Sequence, residues 1–172
     1  LSDRIESQAP DVNVVIQPGA TVKIADSASP TILTDNTGQD RVPLFYITHN
    51  NVSIKNDGTM DGNNANHPQG HAALFQDVNS GGIDSKGGDL VDTHDTVFCA
   101  DCTGLQLTNL YYATSSGNRV AVVALEGCED CTVHNITGVD TGETVDLNGA
   151  NEDIQLSNIR GKNLSDQVLD IN

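Results

Sequence analysis

Cys102-Thr-Gly-Leu-Gln-Leu-Thr-Asn109-Leu110 superposes on Cys128-Glu-Asp-Cys-Thr-Val-His-Asn135-Ile136 and on Asn151-Glu-Asp-Ile-Gln-Leu-Ser-Asn158-Ile159, at offsets of 26 and then 23 residues. His49-Asn-Asn-Val-Ser-Ile-Lys-Asn56 is an earlier copy, 53 residues before the first, about two repeats back. A second track keeps step with it. Thr96-Val97-Phe98, Val122-Val123-Ala124, Val145-Asp146-Leu147 and Leu169-Asp170-Ile171 follow at offsets of 26, 23 and 24. Alternating segments of this length are strands. Strands that recur at this spacing between Asn and Gly turns make stacked coils, each pairing in parallel only with its neighbours about 4.8 Å away.

The coil reading gives each column a physical role. Val52, Leu105, Cys131 and Ile154 form one inward stack, and Ile54, Leu107, Val133 and Leu156 a second. Asn56, Asn109, Asn135 and Asn158 form an Asn column at the following turn, where amides stacked along the axis satisfy a bend that would otherwise strand polar groups. No amphipathic helix of ten or more residues is apparent. The chain divides into an N-terminal cap segment, residues 1–9, with one helical turn expected over Leu1–Ser7, and a solenoid over residues 10–172. A Gly/Asn/Ser-rich insertion is expected from about Gly62 to Asp92.

Composition sets outer bounds. The chain has 172 residues, one domain's worth, with 37% hydrophobic residues, three Phe, three Tyr and no Trp, so the core is aliphatic. No apolar run reaches the ~18 residues of a membrane span. Twenty-four acids against eight Lys and Arg give a net charge of −16, which excludes non-specific nucleic-acid binding. The acids, 19 of them Asp, are scattered among apolar residues rather than run together, so they coat a folded surface. Such a coat resembles that of proteins from extreme halophiles, where molar salt shortens the screening length to about 3 Å and the charge serves hydration rather than steering.

Val12-Asn-Val-Val-Ile-Gln-Pro-Gly-Ala-Thr-Val-Lys-Ile24 resembles the opening coil of pectin-lyase-like right-handed parallel β-helices. Leu44-Phe-Tyr-Ile47 followed by Asn51-Val-Ser-Ile-Lys-Asn-Asp-Gly-Thr-Met-Asp-Gly62 resembles their coil ending in Gly-Thr-Ile-Asp-Gly. The fold expected is therefore all-β, a right-handed parallel β-helix with coils of about 23–26 residues. The resemblance implies no single activity, because lyases, hydrolases, epimerases and viral tailspikes share the fold. The polygalacturonase motifs are not matched. Asn36-Thr-Gly-Gln-Asp40 precedes Gly58 and so falls in the wrong coil, and no Asp-Asp, Gly-His-Gly or Arg-Ile-Lys occurs.

Three groups of residues carry candidate chemistry. Asp146 and Asp170 project from adjacent coils about 5 Å apart, on the face where related β-helices bind substrate, at the spacing of a retaining glycosidase pair or a Ca2+ site. Val122, Ala124, Val145, Leu147, Leu169 and Ile171 are expected inward; with apolar Val97 and Val123 as track neighbours and no Lys or Arg in register, the two acids are expected to be ionised, exposed and outside any deep cleft. They would be catalytic only if the protein is an enzyme. His67-Pro-Gln-Gly-His71 with Asp92, His94 and Asp95 has metal-ligand chemistry, but nothing in the spacing brings these residues together, so they read as loop residues and no metal or other cofactor is expected beyond Ca2+ at the acids. Cys99-Ala-Asp-Cys102 and Cys128-Glu-Asp-Cys131 leave three readings open: a disulfide, for which stacked Cys102 and Cys128 are in range, reduced core packing, or a four-cysteine Zn2+ site. A disulfide would imply an extracellular setting.

Val168-Leu-Asp-Ile-Asn172 ends in a strand without a polar cap, so the chain is expected to continue or to be covered by another subunit. By analogy with viral spikes, that cover would be a homo-oligomer such as a trimer. Together these features favour a non-catalytic structural or glycan-binding module on the surface of a virion or cell of a halophile. The alternative is a secreted polysaccharide lyase or glycoside hydrolase acting on an acidic polysaccharide. Either reading places the protein outside the cell, with surface polysaccharide as its partner.

Overall fold

The computed structural model describes residues 3–34, 39–67, 69–113 and 121–171. These form strands and no helix, so no helix among them is long and apolar enough to cross a membrane. The chain winds as a parallel β-solenoid of about five turns. Its first face stacks β1 (Ile5–Glu6), β5 (Asp40–Ile47), β8 (Gly70–Gln76), β11 (Val97–Ala100), β14 (Ala121–Glu126), β16 (Glu143–Asn148) and β18 (Leu169–Ile171). Its second stacks β2 (Asn13–Ile16), β6 (Val52–Asn56), β9 (Asn79–Asp84), β12 (Thr103–Thr108), β15 (Thr132–Val139) and β17 (Gln155–Lys162). Its third stacks β3 (Thr21–Lys23), β7 (Thr59–Asp61), β10 (Asp89–Val91) and β13 (Tyr111–Ala113), and β15 and β17 run on around the corner to complete it.

The columns read from the repeat form the core. Ile54, Ile83, Leu107, Val133 and Leu156 lie in register on the second face. Ile47, Phe75, Cys99, Leu125, Leu147 and Ile171 do so on the first. Stacking like on like buries the side chains of the inner coils against their own kind, while Ile171 on the last strand stays 69% exposed.

A solenoid corner turns through a single residue in the left-handed region. Asn and Asp tolerate that conformation because their short polar side chains bond locally. Among the described residues fifteen non-glycine residues have positive φ, of which seven are Asp and six are Asn. Asn109, Asn135 and Asn158 occupy one such corner, and their amides form the expected ladder. Asn135 Nδ2 donates to Asn109 Oδ1 and Asn158 Nδ2 to Asn135 Oδ1, both at 2.7 Å. Asn56 holds the same register with ordinary φ; it donates to Ser85 Oγ and accepts from the Gly58 amide. Below Asn109 the ladder passes to Asp84 Oδ1, at 2.8 Å.

Four expectations are corrected. The stretch from Gly62 to Asp92 is not an insertion but a complete coil, β8, β9 and β10. Gly81 and Gly82 hide it from pattern reading: they stand in register with Val52 and Ser53 below and with Leu105 and Gln106 above. Offsets between coils range from 22 residues (Val123 to Val145) to 30 (Thr59 to Asp89), with 38 from Thr21 to Thr59 and 40 from Ile5 to Phe45 at the first step, rather than 23–26 throughout. Ile5–Glu6 is a strand paired with β5, not part of a helical turn. Val123, not Val122, pairs with Val145, so Ala124 faces outward between Phe98 and Asp146; the adjacent valines masked the one-residue slip. Asn36–Gly38 of the quoted motif lie outside the described residues.

Candidate active site

On the first face the alternation of inward and outward residues is broken at one register. Ala72-Ala73, Thr96-Val97, Val122-Val123 and Thr144-Val145 are adjacent pairs with both members fully buried. The break turns the residue before each pair away from the core: His71, Asp95, Ala121 and Glu143 form one outward-pointing column, in which His71 and Ala121 are covered. Leu74, Phe98, Ala124, Asp146 and Asp170 form the column beside it. Strict alternation would group Glu143 with inward Val145, which is why sequence reasoning misses it. The double burial of Thr144 and Val145 turns it instead to the side of Asp146.

A groove of about 420 Å³ runs between these columns, lined by Arg41, His94, Asp95, Phe98, Glu143 and Asp146 among others. Leu33 and Tyr46 pack on the outward cluster of Leu74, Phe98, Ala100, Ala121 and Ala124, and β4 (Leu33–Thr34), antiparallel to β5, forms part of that cover. Glu143, Asp146 and Asp170 bring one carboxyl oxygen each to within 4.8 Å of one another. Burial, then the neighbouring Asp146 and Asp170, pushes the Glu143 carboxyl up to about 7. Asp146 is also raised, by burial first and by Asp95 and Asp170, against the lowering effect of Asn148, whose Nδ2 donates to Asp146 Oδ2 at 2.6 Å. Asp146 Oδ1 is buried without a hydrogen-bond partner. The expectation of two exposed acids outside any cleft is therefore overturned: both are half-buried, and Asp146 lines the groove.

Across the groove, buried Arg41 donates to Asp95 Oδ2 at 2.9 Å and stacks over Phe98 with its guanidinium carbon 3.9 Å from the ring centre. Burial by itself would raise the Asp95 carboxyl; His94, His71 and Arg41 outweigh it and hold it at about 2. His71 is completely buried, and that burial keeps its imidazole neutral, with a pKa of about 4. Its Nδ1–H donates to the Asp95 carbonyl at 2.7 Å. Of the other residues in the His-rich stretch, His67 Nε2 donates to the Ala25 carbonyl at 2.9 Å and Asp92 accepts from the Ala65 amide at 3.2 Å, so both serve loop structure.

Cys99, Cys102, Cys128 and Cys131 are buried free thiols at the corner after the first face. A hydrogen bond shared with Cys102, and then burial, pushes the Cys128 thiol up to about 12, and burial raises Cys99.

No family model and no curated protein matches the sequence. The structure is similar to that of a "putative glycosyl hydrolase" from Parabacteroides merdae, with a TM-score of 0.66 and 12% sequence identity over 93% of this chain and 75% of that one. That likeness extends to the fold.

Proposed function

We propose that this solenoid is a glycoside hydrolase of the pectin-lyase-like kind, cleaving a neutral glycan in the groove on its first face. The observation that carries the reading is the meeting of three carboxyl groups, one of them protonated near neutrality, on the outer surface of a parallel sheet. Glycoside hydrolysis needs one carboxylic acid to protonate the leaving oxygen and a second carboxyl group to attack the anomeric carbon or activate water. Glu143, with its raised pKa, is the acid. Asp146, with Asp170 beside it, supplies the second group. These oxygens lie within 4.8 Å of one another, short of the roughly 6.5–9.5 Å that leaves room for water in inverting enzymes, which favours a retaining pair. The fold it shares with a protein named as a glycosyl hydrolase is consistent with this reading.

Charge argues against the acidic polysaccharide of the alternative reading. Among the described residues Arg41 is the one Lys or Arg lining the groove and is paired with Asp95, whereas Glu126, Glu143 and Asp146 also line it. A uronate would meet net repulsion there. A hydrolase of a polymer too large to enter cells acts where that polymer lies, at a cell surface or beyond it.

The test is incubation with neutral β-glucans, galactans and xylans beside polygalacturonate, with reducing ends measured and the first-formed anomer read by proton NMR. Release from a neutral glycan with retained configuration, lost in Glu143→Gln and Asp146→Asn, is expected. Unsaturated uronide products would make the protein a lyase. Binding without cleavage across the panel would return it to the non-catalytic module favoured by sequence alone.

A further inference from the structure

We propose that His71, His94 and Asp95 form a binding site for a divalent transition-metal ion of the Zn2+ type at one side of the groove, independent of the three-carboxyl site. The two histidines and the aspartate come from two coils. His71 lies on β8, and His94 and Asp95 lie in the connection leading to β11, which the His94 amide fastens to the Gly70 carbonyl at 2.5 Å. Each of the three offers a ligand atom within 4.8 Å of the others. The His71 and His94 rings meet edge to face with centroids 5.6 Å apart.

His71 makes the strongest argument. Its Nδ1 faces a carbonyl, which can only accept, so Nδ1 carries the proton and Nε2 carries a bare lone pair. That Nε2 is buried with no partner. Leaving such an atom unsatisfied costs about 1–3 kcal/mol, and a cation at this position would satisfy it. An imidazole whose second nitrogen is tied to a backbone carbonyl is the arrangement that orients histidine ligands in metal sites. Asp95 is oriented in the same manner: Arg41 donates to Oδ2 and the Ala121 amide to Oδ1 at 3.3 Å, and His94 Nδ1 stands 3.3 Å from Oδ2.

Imidazole nitrogens with one carboxylate suit Zn2+, Co2+ or Ni2+ and not Ca2+, which takes oxygen ligands. Zn2+ bonds of about 2.0–2.1 Å call for ligand separations of roughly 3.3 Å, so closure asks for shifts of about an ångström. His94 and Asp95 line the groove, so a fourth position would face it. The Arg41 guanidinium opposes a cation here. It is held over Phe98, and its charge is paired with Asp95.

The probe is Co2+ alone, titrated into the full, metal-stripped chain and followed by visible absorption, then displaced by Zn2+. One Co2+ per chain is expected, with a ligand-field spectrum and no near-ultraviolet thiolate-to-metal band, since the four buried thiols take no part. His94 is partly exposed, so His94→Gln should keep the fold by circular dichroism while weakening Co2+ by more than the 10–100-fold that loss of an outer-sphere partner costs. Glu143→Gln should leave binding within a few-fold of the parent. Absence of stoichiometric binding at millimolar Co2+, a thiolate band that survives His94→Gln, or loss of binding in Glu143→Gln but not in His94→Gln would each overturn the proposal.

Discussion

Replacing Asn135 by alanine removes two things at once, and both can be priced from the structure. The side chain donates to Asn109 and accepts from Asn158 at 2.7 Å each. Such bonds contribute about 1 ± 0.5 kcal/mol net apiece. The backbone sits at φ 57°, where a residue with an ordinary Cβ costs roughly 1–2 kcal/mol and asparagine less. Asn135→Ala should therefore destabilise the chain by about 2–4 kcal/mol. Asn135→Gly, which accepts the left-handed backbone freely, should lose about 1–3 kcal/mol, centred near 2, through the hydrogen bonds alone. With a urea m-value of about 2 kcal/mol/M, the alanine variant's midpoint should fall by about 1–2 M, and the glycine variant's by less. Tyrosine fluorescence and far-ultraviolet circular dichroism, recorded together, check that one transition is being followed, since repeat arrays can unfold in parts. Equal shifts for the two variants would show that backbone conformation contributes nothing at the corner. Shifts within about 0.5 kcal/mol of the parent for both would show that the ladder follows from the fold without supporting it.

Two further outcomes follow from other sites. At Gly82 (φ 140°) a Cβ would stand 2.0 Å from the Gln106 carbonyl oxygen, so Gly82→Ala should abolish folding or cost more than about 3 kcal/mol, read as loss of the urea transition; near-parent stability would refute the close approach of β9 and β12. Glu143 has a folded pKa of about 7, above its ordinary 4.5, so the native state binds more protons than the unfolded one between those values, and stability should fall as pH rises from about 4.5 to 7. Glu143→Gln should flatten the Tm profile over that window; an unchanged slope would mean Glu143 titrates normally.

The solenoid was legible because stacking forces like residues to recur at one spacing, and Ile54, Leu107, Val133 and Leu156 kept that spacing in plain view. The third coil was not, because Gly81 stands where Val52 and Leu105 mark the column in the neighbouring coils. Asp146 and Asp170 were legible as Asp-Leu-Asn and Asp-Ile-Asn one coil apart. Glu143 was not, because a double-buried pair shifted the alternation and nothing in Thr144-Val145 distinguishes that from an ordinary strand. His71 and Asp95 carried a usable signal: they stand 24 residues apart, the offset by which β8 pairs with β11. Seen as loop residues in an insertion, they had no register to share.

The corners have a consequence for how such a protein can vary. Asp11, Asp77, Asp92, Asp101, Asp130, Asp140 and Asp153 hold positions of left-handed backbone that asparagine fills equally well elsewhere in the same molecule. Exchange of carboxylate for amide at those seven positions would take the formal net charge from −16 to −9 and leave every buried column as it is. Surface charge and architecture are thus separable in this lineage. Descendants could drift from one ionic habitat to another by single-base steps between Asp and Asn codons, with the winding of the chain indifferent to the change.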